Sequence, residues 1–333
     1  MKKRSKFWRV YEIVALVLTP ILIFLGLYQL GCGLMPKRTI YGAVWSSYLQ
    51  EEADTVDVLF LGSSRCYCDV IPARIYETTG ISTYVMAGPS QNPPLTYLYL
   101  RQCLRTQKPK YVLVEASGAF FQDPGKDGIA NVCYMPLSAD RVRASLCCQE
   151  TDLSLALFPL EEFHSRIYED REKKEKYDPL LLCGYTPLAE SKPYPERTER
   201  FLPVGPGDET WAANMDSLRQ IAALCAQENI PCIFFLAPMR EVYPDAAAEI
   251  LLQDLCAQPG ALAEDWRTLD ETLAVDPETG WYDPIHFNTE GALAFSDFLG
   301  SYLQGLGLTA TPNADQTLWT QRVAYLDSLR GEK

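Results

Sequence analysis

The sequence predicts a doubly wound α/β fold, with helices on both faces of a parallel sheet, joined to an N-terminal membrane span. Three observations predict it. Short apolar runs bounded by turn residues recur along the chain, as buried parallel strands do. Segments with apolar residues at helical spacing alternate with those runs. The first 36 residues stand apart, a basic stretch followed by a long run without charge.

The N-terminus comes first. MKKRSKFWR carries five basic residues, and IVALVLTPILIFLGLYQLGCGLM, residues 13–35, carries no charge. A helix of that length crosses a hydrocarbon core of about 30 Å with some tilt. A cleavable signal peptide would have an apolar region of about 7–15 residues ending in a small-x-small site. This run is longer and has no such site, and Gln29 stands where a lipoprotein reading of Cys32 wants an aliphatic residue. We therefore read residues 1–12 as a cytoplasmic basic segment and 13–35 as a single-pass anchor in the cell membrane. The basic excess before the span, against only Lys37 and Arg38 after it, keeps the N-terminus inside. Residues 36–310 would then form an extracytoplasmic domain.

Beyond residue 35 the chain has 25 basic and 42 acidic residues, a net charge of −17. Such a surface is repelled by nucleic acid, so a nucleic-acid partner is excluded. Eleven cysteines lie in no zinc spacing: Cys66 and Cys68 are two apart, Cys147 and Cys148 adjacent, and the chain has two histidines. No metal site is expected. The thiols read as small buried hydrophobes, with room for a few disulfides.

Four runs read as strands: Val56–Leu61, Thr83–Ala87, Tyr111–Ala116 and Cys232–Ala237. Residues 95–108, 209–229 and 289–306 read as helices with one apolar face. Residues 119–208 break the rhythm with FFQDPGKDGIAN, the charged helix EEFHSRIYEDREKKEKYD and the Pro-rich SKPYPERTERFLPVGPG. They read as an insertion over one edge of the sheet, beside the carboxyl ends of the strands where such folds bind ligands. Residues 311–333 read as a polar tail ending in an amphipathic helix.

Chemistry enters at VDVLFLGSSRCYCDV, residues 56–70, where a buried strand stops at Gly62 and two serines follow. Far away, WYDPIHFNTEGALAF (281–295) places Asp283 and His286 three residues apart before the last helix. Serine, histidine and carboxylate are the parts of acyl-transfer chemistry. The histidine takes the serine proton, and the carboxylate holds the ring tautomer. The catalytic candidates are Ser64, Asp283 and His286.

These residues resemble the SGNH/GDSL hydrolase superfamily, with Gly62-Ser63-Ser64-Arg65 in place of the Gly-Asp-Ser block and Asp-x-x-His near the C-terminal helix. The resemblance covers about residues 55–118 and 210–305. The anchor, GSSR, AGPSQNPP and DPIHFNTEGALAFSDFL are similar to anchored members related to the D-alanine transfer protein of teichoic acid synthesis and to alginate O-acetylation proteins. The resemblance implies a three-layer α/β/α sandwich with a flavodoxin-like parallel sheet of the SGNH hydrolase type, and no cofactor. It implies O-acyl groups of a cell-envelope glycan or teichoic-acid-like polymer as substrate, and a membrane-bound O-acyltransferase as a candidate partner. It also implies Gly88 as an oxyanion donor beside the Ser64 amide. The third block lacks its asparagine, since VLVEASGAFF has none, and Gln91 or Asn92 would have to replace it.

Four further residues carry competing readings. Glu115 is a substrate contact or a satisfied buried carboxylate. Arg65 binds an anionic substrate group or pairs with an acidic neighbour. His164 faces the site or serves the surface of the insertion. Asn288 holds the catalytic loop or makes a turn contact at the last helix. Two functions compete: a tethered esterase or acyltransferase, and a non-catalytic binding or scaffold protein that assists an acyltransferase.

Overall fold

The computed structural model describes residues 6–35, 44–163, 177–311 and 314–331. A long helix, α1 (Lys6–Leu34), contains Pro20 and a stretch, Trp8–Leu34, long and apolar enough to cross a membrane. The α/β body follows as β1 (Val58–Gly62), α2 (Ser64–Asp69), α3 (Pro72–Thr79), β2 (Thr83–Ala87), α4 (Pro93–Cys103) and β3 (Tyr111–Glu115). After the insertion come α5 (Glu209–Gln227), β4 (Cys232–Leu236), α6 (Asp245–Cys256), β5 (Ala261–Asp265), α7 (Thr289–Gly305) and α8 (Gln316–Gly331).

The five strands form one parallel sheet in the order β2-β1-β3-β4-β5. Val58 faces Thr83 on one side and Tyr111 on the other, and Val112 faces Cys232. The sheet is buried on both faces, which is why β1 to β4 read as unbroken apolar runs. Successive side chains point to opposite faces. Leu59, Leu61, Val112, Val114 and Phe234 pack into a core with α4, α5 and α6. Val58, Phe60, Leu113, Ile233 and Phe235 pack into a second core with α3 and α7. The α/β class and the parallel sheet are as the sequence predicts.

Two features differ from the sequence reading. A fifth strand, β5, lies at the sheet edge and carries Glu264 and Asp265, so no apolar run announces it. The C-terminal segment forms α8, which packs on α3, with Trp319 stacked on Tyr76 at 4.6 Å. Arg322, on the same helix, is buried and pairs with Glu51. The insertion does cover a sheet edge: the amide of Val85 in β2 donates to the Cys183 carbonyl at 3.0 Å. Most of the charged helix expected at 161–178, and His164 with it, falls outside the described residues.

Candidate active site

The site is built at the carboxyl end of β1. Gly62 has a φ of +148°, and a Cβ there would lie 2.9 Å from the Glu115 Cβ and 3.2 Å from the Cys66 Sγ. A side chain would not fit, so the strand ends on glycine. Ser63 remains extended and α2 begins at Ser64. The turn therefore sets the Ser64 hydroxyl at the rim of the sheet, in the crevice where doubly wound folds bind ligands.

The other half of the site is a two-stranded hairpin, Trp281–Asp283 with His286–Phe287, in which Asp283 faces His286. Trp281 and Phe287 are fully buried with ring centroids 4.3 Å apart, which roots the hairpin in the core. Asn288 caps α7 directly behind it. Its Oδ1 accepts from the amides of Glu290 and Gly291, and its Nδ2 donates to the Thr279 carbonyl at 2.6 Å. Both readings of Asn288 hold together: as a helix cap it also pins the loop that carries His286.

The three candidates meet. His286 Nε2 lies 2.7 Å from Ser64 Oγ, and His286 Nδ1 lies 2.7 Å from Asp283 Oδ2. Asp283 Oδ1 accepts the Ile285 amide at 2.9 Å, which orients the carboxylate. The histidine side chain is 13% exposed, so the relay is shielded yet reachable. Burial alone would raise the Asp283 carboxyl, but the hydrogen bond and charge of His286 and the amides of Ile285 and His286 bring it below its ordinary value. A charged Asp283 fixes the proton on Nδ1 and leaves Nε2 free to accept from the serine.

Sequence reasoning missed Asp69, the last residue of α2. It is fully buried, and its Oδ1 accepts the backbone amide of Phe287 at 3.0 Å. One short helix thus carries Ser64 at its first residue and grips the strand of His286 at its last. No local pattern marks this pairing, because the partners lie 218 residues apart. Cys66 and Cys68 sit between them, and burial pushes both thiols well above their ordinary range. Thiols held protonated in this way are poor nucleophiles.

Arg65 and Glu115 resolve to a buried pair. Arg65 Nε lies 3.5 Å from Glu115 Oε1, and its NH2 donates to Ser117 Oγ and, at 2.6 Å, to the Tyr243 hydroxyl. Its guanidinium also lies over the Tyr243 ring at 5.2 Å. Glu115 accepts the Ser117 hydroxyl at 2.5 Å. Burial would lower the Arg65 guanidinium, but the charge of Glu115 and the bond to Tyr243 carry it above its ordinary value. Arg65 stays charged, and it lines the pocket beside Ser64.

The oxyanion candidates divide. Gly88 lies in a close cradle, since a Cβ there would be 2.1 Å from Asn131 Oδ1. Asn131, from the insertion, also donates to the Pro89 carbonyl at 2.9 Å and so braces the loop. Gln91 donates to Thr96 Oγ1 at 3.1 Å, and Asn92 caps α4 by accepting from the Leu95 amide at 3.2 Å. Local structure therefore uses both side chains, and Gly88, Gln91 and Asn92 are alike buried and absent from the pocket lining. Ser90 does line the pocket, with a φ of +47° and its hydroxyl on Asp127 at 2.7 Å.

That pocket has a volume of about 260 Å³ and opens beside Ser64. Phe120, Phe121, Tyr243 and Ile285 supply apolar wall, and Arg200, Leu202 and Pro203 of the insertion close one side. Arg200 is held by Glu241 at 2.7 Å. The insertion therefore contributes to the pocket directly, and Arg200, Ser90 and Tyr243 join the site without any sequence signal. No protein-family model and no curated protein matches this chain.

Proposed function

We propose that this chain is a membrane-anchored serine esterase or acyltransferase of the SGNH/GDSL type. It acts outside the cell membrane on O-acyl groups of a cell-envelope glycan or teichoic-acid-like polymer. The observation that carries the reading is the continuous relay from Ser64 through His286 to Asp283, with 2.7 Å at each step. The 2-1-3-4-5 parallel strand order, with the serine on the turn after the first strand, agrees with the sandwich this superfamily uses.

Ser64 Oγ attacks the ester carbonyl as His286 Nε2 takes its proton. The amides of Ser64 and Gly88 stabilise the oxyanion. Collapse of the tetrahedral intermediate breaks the acyl–oxygen bond, and His286 returns the proton to the departing alcohol. Water, or a sugar hydroxyl, then gives its proton to His286 and attacks the acyl carbon, and the acyl–Ser64 bond breaks as Ser64 Oγ takes that proton back. The pocket takes a small acyl group, acetyl first. The tether raises the local concentration of membrane-proximal substrate. No cofactor enters any step.

A non-catalytic scaffold beside a membrane-bound O-acyltransferase is the competing reading. It is favoured by the engagement of Gln91 and Asn92 in local structure, because losing an oxyanion donor costs about 10²–10³ in rate. Turnover separates the two. The full-length protein in detergent is expected to release acetate from an aryl acetate or an O-acetylated glycan, and Ser64→Ala and His286→Ala should abolish it. A folded wild type without turnover on either substrate supports the scaffold.

A further inference from the structure

The insertion does more than close the pocket, for it also grips α1. Arg141, buried in the short helix Ala139–Ala144, donates to the Tyr28 hydroxyl at 2.5 Å and to the Met135 and Leu155 carbonyls at 2.8 and 3.3 Å. Its guanidinium lies 5.6 Å from the Tyr28 ring centroid. Phe158 packs edge-on against Phe24 at 5.7 Å, and Leu160 lies where a Cβ on Gly31 would be 3.7 Å away. The same insertion helix is tied to α4 by Asp140, which pairs with Arg101 and Arg105 at 3.1 and 2.7 Å. The grip on α1 therefore continues into the α/β body.

The register of the span sets the depth of these contacts. The charge-free run begins at Ile13, just after Glu12, and twenty helical residues, about 30 Å of hydrocarbon, end near Cys32. With Cys32 near the outer boundary, Tyr28 lies about 6 Å and Phe24 about 12 Å below it, within the outer leaflet. Phe158 touches Phe24 there. It is nonetheless 49% exposed, and two other residues of the insertion, Leu153 at 49% and Leu146 at 70%, also present large apolar side chains to solvent.

We infer that the insertion is a membrane seat, in which Phe158 enters the outer leaflet beside α1 while Arg141 locks onto Tyr28 one turn below the interface. The occupant of this apolar surface is lipid acyl chain. The domain does not swing on a flexible leash. It sits at one height and one orientation on the bilayer. The inference rests on reading Trp8–Leu34 as a span and is independent of the chemistry at Ser64.

The test places a benzophenone amino acid singly at 22, 158 and 301 in the full chain, reconstituted in phosphatidylcholine nanodiscs. Leu22 lies in the span, and Ser301 is exposed on α7, on the opposite face of the sheet. After irradiation, lipid adducts are expected at 22 and 158 and none at 301. An adduct at 22 without one at 158 overturns the seat. Adducts at 158 with a second copy of the chain, in place of lipid, overturn the choice of occupant. Failure at 22 overturns the span on which the inference stands.

Discussion

Asp69 offers a prediction whose size follows from the structure. The perturbations are Asp69→Ala and Asp69→Asn. Asp69 Oδ1 is the acceptor for the buried amide of Phe287, the residue after His286. Alanine strands that amide, at a cost of about 1–3 kcal/mol, and lowers Tm by several degrees in a chain of this size. The larger effect is on His286, since a displacement of about 1 Å at a reacting group costs about 10² in rate. Asparagine keeps an acceptor oxygen at the same reach, so kcat should stay near wild type. KM should change little in either variant, because Asp69 does not line the pocket.

The pH dependence supplies an independent readout. Burial is the main cause that raises the Asp69 carboxyl well above its ordinary range; the Phe287 amide opposes the rise and Asp283 adds to it. An acid raised on folding binds more protons folded than unfolded. Its contribution is complete below about pH 3.9, the ordinary aspartate value, and is lost as pH rises through the raised value. Asp69→Asn removes this dependence, so its stability should gain on the wild type as pH increases. Thermal unfolding from pH 4 to 9 and steady-state ester hydrolysis measure both effects. If Asp69→Asn loses as much kcat as Asp69→Ala, the acceptor argument is refuted, and so it is if Asp69→Ala turns over normally.

Three further outcomes are expected. Asp283→Asn should fold but lose about 10⁴ in kcat through the wrong histidine tautomer. Because the Asp283 carboxyl is lowered on folding, its contribution is present above about pH 3.9 and lost as pH falls through the lower folded value, and acid unfolding of the variant should flatten there. Glu115→Leu leaves Arg65 buried without its partner and should cost about 3–5 kcal/mol by urea unfolding, with much of it recovered in Glu115→Leu/Arg65→Met. Gly88→Ala drives a Cβ into Asn131 Oδ1 and should cost about 1–3 kcal/mol, relieved when Asn131→Ala is added.

How much was legible in the sequence follows from where the information lies. Strands β1 to β4 were readable because burial on both faces makes each an unbroken apolar run. The edge strand β5 was not, since half of it faces solvent and carries acids. Ser64, Asp283 and His286 were readable as residue types at turn and helix boundaries, where local chemistry is spelled out in a few letters. Arg65, Glu115 and Asn288 stand out in the sequence, but only their three-dimensional partners separate a contact with substrate from an internal pair or a cap. Gln91 and Asn92 look like donors in the sequence, and a helix cap and a threonine engage them. Asp69, Asn131 and Arg200 act across long sequence separations through partners that no periodicity announces.

The central claim is that Ser64 is an activated nucleophile, and a fluorophosphonate probe tests it most directly. The full-length chain in detergent is treated beside Ser64→Ala, Ser63→Ala and His286→Ala, each checked for folding by circular dichroism. Ser63 is buried and stands outside the relay, so its variant serves as the neighbouring control. Labelling that survives Ser63→Ala and disappears with Ser64→Ala and His286→Ala is the result this account predicts. A folded wild type that takes no label, or label that persists in Ser64→Ala, would contradict it.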